Sequence, residues 1–508
     1  VVTLRSLERM AGLTKLRGMW LKSRPAWQLL IVSAAVHAVV LLVVLGRTGS
    51  IDGYAFSSLD CGEFYKIAQK VAEHGVFSQD EAPPLKPDTW RTPGYPVFLA
   101  VFMFLLGDST ATLVVVQQVL SILNVLLLFW IAGPLMNTRR AMLVAVLFLL
   151  EPYHLFYSLW LMSTTLFVTV LLLTWFVWLR VLKTRHVGWC ALLGLLAGFS
   201  VLIRPVAFLV PIVIVAGLTA AALLAIREGS RKGATPPLSP PGREGGSGAR
   251  AVSSGQAVPR PRPLRLAWRA PFLFAVFCML VLASWMMRNQ LVAGHLALSY
   301  QGGVVLAYFK ATEVVLWRQG RTADRYLETT LDPARTESPH TVWEQIDTRL
   351  RDKFSSIPED QRAALRWQNL AQGNKTTVDS FAVSEALGEI GWSYLSASPL
   401  TTAICCLVRC GSVLTFPLNL ALKPPTGVQV DRLESTAKGI PYLLLCVWVL
   451  VRLFRGGFGS FRIYFPLACT VALLAATTPQ IDPRFRVPII PLLLVVALLP
   501  KLTSPSHT

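Results

Sequence analysis

Long apolar runs alternate with short basic loops along most of the chain. A helix needs about 20 apolar residues to cross roughly 30 Å of hydrocarbon, and many of these runs approach that length. We therefore predict an all-α integral membrane protein, a polytopic bundle of about 10–12 transmembrane helices. The predicted spans cover residues 27–45, 111–136, 141–157, 161–178, 189–203, 206–226, 271–287, 440–453, 464–476 and 487–499.

Two further apolar runs leave the topology open. Residues 93–106 are short, so they form either a short span or a helix that lies in the interface. Residues 400–422 are interrupted by Arg409 and Pro417, and they either span the membrane or dip in and return. Charge favours the interfacial choice for residues 93–106, because the basic clusters that follow in the N-terminal half then face the cytoplasm.

Composition divides the chain into regions. Residues 1–228 form an N-terminal transmembrane module with an acidic outer loop at 47–92. Residues 229–269 are rich in Pro, Gly, Ser and Arg and cannot bury enough apolar surface to fold, so we predict a disordered cytoplasmic linker. The regions that follow are a span at 270–288, a polar outer-face segment at 289–396 and C-terminal transmembrane helices at 397–508.

The formal net charge of +20 is a value that nucleic-acid-binding proteins also reach. Here the basic residues lie in short loops beside apolar runs, where the positive-inside rule places them. Anionic lipids of the inner leaflet attract such loops. We therefore predict a cytoplasmic N-terminus, membrane lipids as partners and no nucleic acid.

The eight cysteines are scattered, and most of them lie in apolar runs. No CxxC pair and no cysteine–histidine cluster with zinc spacing occurs in the sequence. No cofactor is certain from this pattern; a divalent metal stays an open alternative without an evident ligand set.

Two carboxylates stand at the start of a predicted amphipathic helix in the acidic outer loop. From Glu63 to His74 the apolar residues recur with helical spacing. If the helix starts by Asp60, the spacing of three places Asp60 and Glu63 on one side. A carboxylate there can take a proton from an acceptor hydroxyl or amine. The alternative is that Asp60 only caps the helix.

Further polar residues gather at the same predicted membrane face. Arg204 is either an arginine that reaches to the interface or a phosphate ligand, since a guanidinium pairs with phosphate oxygens in a bidentate fork. Polar groups at membrane depth are costly and often functional. Within one span, Gln117, Gln118 and Asn124 are expected to hold helices together. The other polar residues of this face are Arg91, Glu151, His154, Arg288, Asp482, Arg484 and Arg486.

Four stretches share their order and their topological positions with a known superfamily. The first is 60–68 with 75–78, and the second is 91–96. The third is 194–198, which leads to Arg204-Pro205, together with Ser284-Trp285 and Arg288-Asn289. The fourth is 482–488. In these stretches the chain resembles the GT-C superfamily of polyprenyl-phosphate-sugar glycosyltransferases. The similarity is greatest to the protein O-mannosyltransferases and the bacterial aminoarabinose transferases of lipid A.

The resemblance implies an inverting transfer from a polyprenyl-phosphate-sugar donor to a glycan, lipid or protein acceptor. It places the reaction at the periplasmic face of a bacterial inner membrane. Asp60 would be the general base, supported by Glu63. The donor phosphate would be held by Arg91, Arg204, Arg288, Arg484 and Arg486. The expected substrate contacts are Tyr65, Tyr95, Glu151 and His154.

One position departs from the family pattern. Relatives often carry a glutamate where this chain has Thr164. Either Glu151, earlier in the same outer-facing stretch, compensates, or the site is altered in a way that affects activity or donor type. A catalytically inactive scaffold is a further alternative. Two other classes stay open: a transporter or lipid flippase, which would show inverted repeats, and a polysaccharide polymerase or ligase with a large outer loop.

Overall fold

A computed structural model describes residues 24–184, 186–233, 268–318, 339–370, 378–406, 444–451, 466–473 and 486–499. Within these ranges the regular secondary structure is helical, and no strand occurs. Five helices of the described part are long and apolar enough to cross a membrane. The prediction of an all-α polytopic membrane protein is therefore confirmed.

The N-terminal module contains most of the long helices. The candidate spans are Arg24–Thr48, Thr110–Ala132, Thr164–Thr184, Pro205–Leu223 and Arg269–Ala293. The helix Leu209–Gly233 continues past the predicted start of the linker at residue 229, and residues 234–267 lie outside those described. In chain order the helices are α1 (Arg24–Thr48), α2 (Asp52–Ala55), α3 (Leu59–His74), α4 (Gly94–Leu106), α5 (Thr110–Ala132), α6 (Thr138–Leu149), α7 (Pro152–Tyr157), α8 (Thr164–Thr184), α9 (Val187–Ile203), α10 (Leu209–Gly233) and α11 (Arg269–Ala293).

Helix α4 is too short to cross a bilayer alone. It has 13 residues, which rise about 20 Å at 1.5 Å per residue, against roughly 30 Å for the hydrocarbon core. Its C-terminal residues Phe104, Leu105 and Leu106 are exposed and present apolar surface. This length is compatible with the interfacial choice made from charge.

The predicted span 141–157 is divided into α6 and α7, so the expectation of one uninterrupted helix was wrong. Helix α6 ends at Leu149, and the Glu151 side chain accepts a hydrogen bond from the His154 N–H at 2.5 Å as the N-cap of α7. Pro152 cannot donate to a helical ladder and suits the first position of a new helix. Apolar character alone therefore hid a helix boundary.

Helices α9 and α11 approach closely through two glycines. A methyl group on Gly194 would lie 2.4 Å from the carbonyl oxygen of Phe274, and one on Gly198 would lie 2.9 Å from that of Cys278. Small residues four apart let membrane helices pack backbone to backbone. This contact sets α11, which carries Arg288 near its end, against the helix that leads to Arg204.

Residues 289–396, predicted from the sequence to be an outer-face segment, contribute most of a second hydrophobic core. Within it the Trp343 indole donates to the carbonyl oxygen of Tyr308 at 2.9 Å. Trp90, from the loop between α3 and α4, joins this core, and its ring lies 5.0 Å from that of Tyr300. The segment therefore packs onto the loop between α3 and α4. Its helices are α12 (Gln301–Val304), a π-helix (Val305–Ala311), α13 (Thr312–Arg318), α14 (Pro339–Lys353), α15 (Glu359–Ala363), α16 (Trp367–Leu370) and α17 (Ser380–Ser396).

The C-terminal part is described only in pieces. Helix α18 (Ile490–Leu498) is buried and packs against α6. Residues 444–451 and 466–473 are helical within two of the predicted spans. The choice between a span and a re-entrant segment at 400–422 depends on residues beyond 406 and lies outside the described part of the chain.

Candidate active site

Arg91 joins the two candidate catalytic carboxylates. Its Nη2 donates to Asp60 Oδ1 at 2.5 Å and its Nε to Glu63 Oε2 at 2.6 Å. Helix α3 starts at Leu59 with Ser58 as its N-cap, so Asp60 and Glu63 lie one turn apart, as the spacing predicted. Ser58 occupies the N-cap position without a side-chain capping hydrogen bond, and Asp60 lies in the first turn of the helix. Sequence separation of 28 and 31 residues explains why the Arg91 contacts were not foreseen.

The electrostatics of this cluster depend on limited access to water. The exposed fractions of the side chains are 13% for Arg91, 23% for Asp60 and 17% for Glu63. Burial raises the pKa of Glu63 above its ordinary value, and Arg91 opposes that rise only in part. Burial also works against the charge of Arg91, but Asp60 and Glu63 outweigh it and raise the pKa of the guanidinium. Glu63 is therefore a carboxyl group that holds a proton more readily than one in water.

Arg91 sits on an aromatic support. Its guanidinium carbon lies 4.9 Å from the ring centre of Phe64 and 6.0 Å from that of Trp90. A guanidinium over an aromatic face gains a cation–π attraction and loses freedom to turn. The fork is thus held in the plane in which it reaches both carboxylates.

Arg288 reaches the same loop from α11. Its Nη1 donates to the carbonyl oxygen of Asp88 at 2.6 Å and to Asn289 Oδ1 at 2.9 Å. Its guanidinium carbon lies 4.7 Å from the Trp285 ring and 5.5 Å from the Phe77 ring. The Ser284-Trp285 and Arg288-Asn289 stretch of the resemblance is therefore where α11 meets the loop between α3 and α4.

Arg204 lies at the C-terminal end of α9 and is buried. Its Nε donates to Ser163 Oγ at 2.9 Å and its Nη2 to Thr164 Oγ1 at 2.6 Å. The resemblance implies a glutamate at the position of Thr164, whereas in this chain a neutral hydroxyl meets the arginine there. The departure noted in the sequence bears directly on the partner of Arg204.

Helix α4 starts against the end of α9. A methyl group on Gly94 would lie 2.7 Å from the backbone nitrogen of Ile203, so only glycine allows this approach. Tyr95 and Arg204 directly follow these two residues in the chain, so the contact places them near one another. The loop that ends in Arg91 and the α9 terminus that carries Arg204 are thereby neighbours.

The two candidate substrate tyrosines occupy different surroundings. Tyr95 is fully buried and donates to Gln117 Oε1 at 3.0 Å. Tyr65 is partly exposed and donates to Asp108 Oδ1 at 2.6 Å; burial and this hydrogen bond raise the pKa of Tyr65 to about 12. Both roles in substrate binding stay predictions.

A second polar group lies inside the bundle. His37 Nε2 and His154 Nε2 both contact Ser121 Oγ, at 2.8 Å and 3.0 Å. Arg486 Nη2 lies 3.8 Å from Glu151 Oε1, and both side chains are buried. We name His37, Ser121, His154, Glu151 and Arg486 the core polar group. Three of its members were predicted as substrate or phosphate contacts, and those roles stay predictions; Arg484 lies outside the described residues.

The polar face of α5 holds the segment before α8. Gln117 Nε2 donates to the Trp160 carbonyl at 2.7 Å, Gln118 Nε2 to Ser158 Oγ at 2.9 Å, and Asn124 Nδ2 to the Thr165 carbonyl at 3.2 Å. This agrees with the expectation that these residues hold the bundle together. By fixing that segment they also fix Ser163 and Thr164, the partners of Arg204.

Sequence reasoning missed two features of the site. Asp88 is only 2% exposed and bonds the Arg91 backbone; its position three residues before Arg91 was the available signal. Ser121 was not singled out, although it lies on the same helical face as Gln117. Among the residues that the structure describes, no cluster of three or more metal-ligating side chains occurs.

Comparison with known proteins supports the family resemblance. Residues 89–232 match the model of a family described as dolichyl-phosphate-mannose-protein mannosyltransferase. The matched segment includes Arg91, Tyr95, Thr164 and Arg204, and it begins after Asp60 and Glu63. No curated protein and no solved structure matches the chain. The match supports a mannosyltransferase-like glycosyltransferase of the GT-C type.

Proposed function

We propose that this protein is an inverting glycosyltransferase that uses a polyprenyl-phosphate-linked sugar at the outer face of a bacterial inner membrane. The observation that carries the proposal is the cluster of Asp60, Glu63 and Arg91, in which a carboxylate pair meets an arginine beside a matched mannosyltransferase segment. The acceptor is a glycan, a lipid or a protein. The nearby Arg204 and Arg288 add positive charge for an anionic donor.

Asp60 serves as the general base in this mechanism. Its carboxylate takes the proton of the acceptor hydroxyl as the acceptor oxygen forms a bond to the anomeric carbon. The bond between that carbon and the phosphate oxygen breaks, and its electron pair stays on the phosphate. Polyprenyl phosphate leaves with one more negative charge, which arginines stabilise.

Arg91 takes part in both halves of this scheme. In the structure its fork is bonded to Asp60 and Glu63. A donor phosphate that binds the same guanidinium competes with the carboxylates, because guanidinium forms bidentate pairs with both kinds of oxyanion. Donor binding would thereby release Asp60 to meet the acceptor. Arg204 and Arg288 hold the phosphate in place during the transfer.

Lipid analysis tests the proposal. A strain that lacks the protein should accumulate one polyprenyl-phosphate sugar, and the wild-type protein should restore the normal level. Purified protein in vesicles should release the sugar from short-chain polyprenyl-phosphate mannose when an acceptor extract is added.

Movement of the intact lipid across the bilayer without cleavage would instead identify a flippase. Products extended by many sugar units would identify a polymerase.

A further inference from the structure

The loop between α3 and α4 contains a carboxylate that is almost completely excluded from water. Asp88 is 2% exposed, although it belongs to a polar outer loop. Burying a charged group is costly unless hydrogen bonds and charges compensate it. Its partners therefore show why the loop keeps a carboxylate at this place.

Each polar group of Asp88 bonds a different part of the site. Oδ2 accepts the backbone N–H of Arg91 at 3.0 Å, and Oδ1 accepts Gln79 Nε2 at 2.9 Å. The backbone N–H donates to the Phe77 carbonyl at 2.7 Å. The carbonyl oxygen accepts Arg288 Nη1 at 2.6 Å. One residue thus connects the loop backbone, Arg91 and α11.

The same contacts join two arginines that come from distant parts of the chain. Arg91 presents its fork to the carboxylates of α3, while Arg288 enters from α11, 200 residues after Asp88. The Phe77 carbonyl, which accepts the Asp88 N–H, also accepts Arg288 Nη2 at 3.4 Å. A shift of Asp88 would therefore displace Arg91 and Arg288 together.

Asp88 also acts through its charge. The groups that face it are Glu63 from α3, Gln79 and Arg91 from its own loop, Arg288 from α11 and Tyr300 from the outer segment. Burial is the main cause of the raised pKa of Glu63 and of Tyr300, and the negative charge of Asp88 adds to both rises. A neutral loop brace would not influence the proton affinity of Glu63.

We propose that Asp88 is a positioning residue of the active site, which sets Arg91 and Arg288 relative to Asp60 and Glu63 without touching substrate. The inference rests on the proposed function, since it concerns the same site. A purely structural role differs from it, because here both the geometry of Arg91 and the ionisation of the carboxylate pair depend on the buried charge of Asp88.

The test compares Asp88→Asn with Asp80→Asn in the full-length protein. Asp88→Asn keeps the size and one acceptor oxygen but loses the charge and the second acceptor. We expect kcat to fall roughly 10-fold, the usual effect of one lost hydrogen bond to a charged group, and the acid limb of the pH profile to move to lower pH. Asp80 lies in the same loop, and its Oδ2 accepts the backbone N–H of Lys86 at 2.6 Å, so Asp80→Asn should change neither quantity.

A second variant separates charge from loop packing. Gln79→Leu removes one partner of Asp88 and keeps the charge, so it should lower kcat less and leave the acid limb in place. If Asp88→Asn lowers the melting temperature while kcat and the pH profile of the folded fraction stay as in the wild type, Asp88 is a structural brace and the inference is wrong. If Asp88→Asn does not fold, Gln79→Leu alone provides the test. A shifted acid limb in Gln79→Leu, or a kcat of Gln79→Leu equal to that of the wild type, then contradicts the inference. Failure of the proposed function would appear differently, as wild-type protein that cleaves no donor.

Discussion

Two polar clusters in the same helical bundle differ in their access to water. The loop cluster of Asp60, Glu63 and Arg91 keeps between 13% and 23% of each side chain exposed. In the core polar group, the side chains of Arg486 and Glu151 are 0% and 3% exposed. Both clusters contain acidic and basic groups, so charge alone does not mark a site. A group that exchanges a proton with substrate must be reached by it, and only the loop cluster meets this condition in the described structure.

The two clusters should also differ in how much stability is lost when one of their charged groups is removed. Breaking a buried ion pair by removing one partner destabilises a protein strongly, because the other charge stays buried. A partly exposed pair loses less, since water replaces the missing partner. We therefore expect substitutions in the loop cluster to act mainly on turnover and those in the core polar group to act mainly on stability.

The largest effect is expected from Asp60→Asn. The variant keeps the shape of the side chain and removes the base, so turnover should fall by about 10²–10⁴-fold. Donor binding and thermal stability should persist. The measurement is transfer from a polyprenyl-phosphate sugar together with donor affinity. Asp52→Asn, an exposed carboxylate that bonds Ser50, is the matched control. Turnover of Asp60→Asn within a few-fold of wild type would make Asp60 part of the fold only.

Arg204→Lys should have the next largest effect. Lysine keeps the charge but cannot reproduce the fork that bonds Ser163 and Thr164. We expect donor affinity to weaken by roughly 10- to 100-fold, the range for hydrogen bonds to a charged group. The control variant is Arg180→Lys. Arg180 lies near the C-terminal end of α8, far from Thr164 at its start, and its guanidinium carbon is 4.9 Å from the centre of the Phe176 ring. Unchanged donor affinity would reduce Arg204 to an interfacial anchor.

Glu151→Ala should act through stability. It leaves Arg486 buried without its Glu151 contact and removes the N-cap of α7, so the free energy of unfolding should fall by about 3–5 kcal/mol. Thermal unfolding in detergent micelles measures the loss. The double variant Glu151→Ala with Arg486→Met should recover part of it, because no charge then stays buried. A loss of donor affinity at normal stability would instead support the predicted substrate roles of Glu151 and Arg486.

The smallest effect is expected from Glu63→Gln, read in the pH profile. The raised pKa of Glu63 means that the folded state holds its proton more tightly than the unfolded state does. The protonated Glu63 carboxyl group therefore contributes its full stabilisation below the pKa that it has in the unfolded state. This contribution declines as pH rises through the pKa that it has in the folded state. Activity needs Asp60 in its ionised form, so it falls at acid pH, and the coupling between the two carboxyl groups sets the position of that acid limb. Removing the Glu63 carboxyl group should move the limb to lower pH, with a loss of turnover smaller than the ~10²-fold that a general base contributes. An unmoved limb would show that Asp60 ionises independently of Glu63.

Much of the architecture was predictable because it follows from local properties. The apolar length of a run reports whether a helix can cross the membrane, and α1, α5, α8 and α11 were found in this way. The periodicity of 63–74 likewise predicted α3, which the structure extends back to Leu59. Pro152 was visible in the sequence as well. Predicting the helix boundary there would have required giving this one proline more weight than the continuous apolar run around it.

The amino-acid sequence by itself determined the membrane-spanning character, the amphipathic α3 and the types of residue available for chemistry. Tertiary structure alone decided which of them meet: Arg91 with Asp60 and Glu63, Arg288 with Asp88, and Arg204 with Thr164. The physical reason is range. Helix formation and membrane insertion depend on residues close in sequence, whereas a hydrogen bond depends on atoms within about 3 Å in space. Close approaches such as Gly94 on Ile203 and Gly194 on Phe274 bring those atoms together.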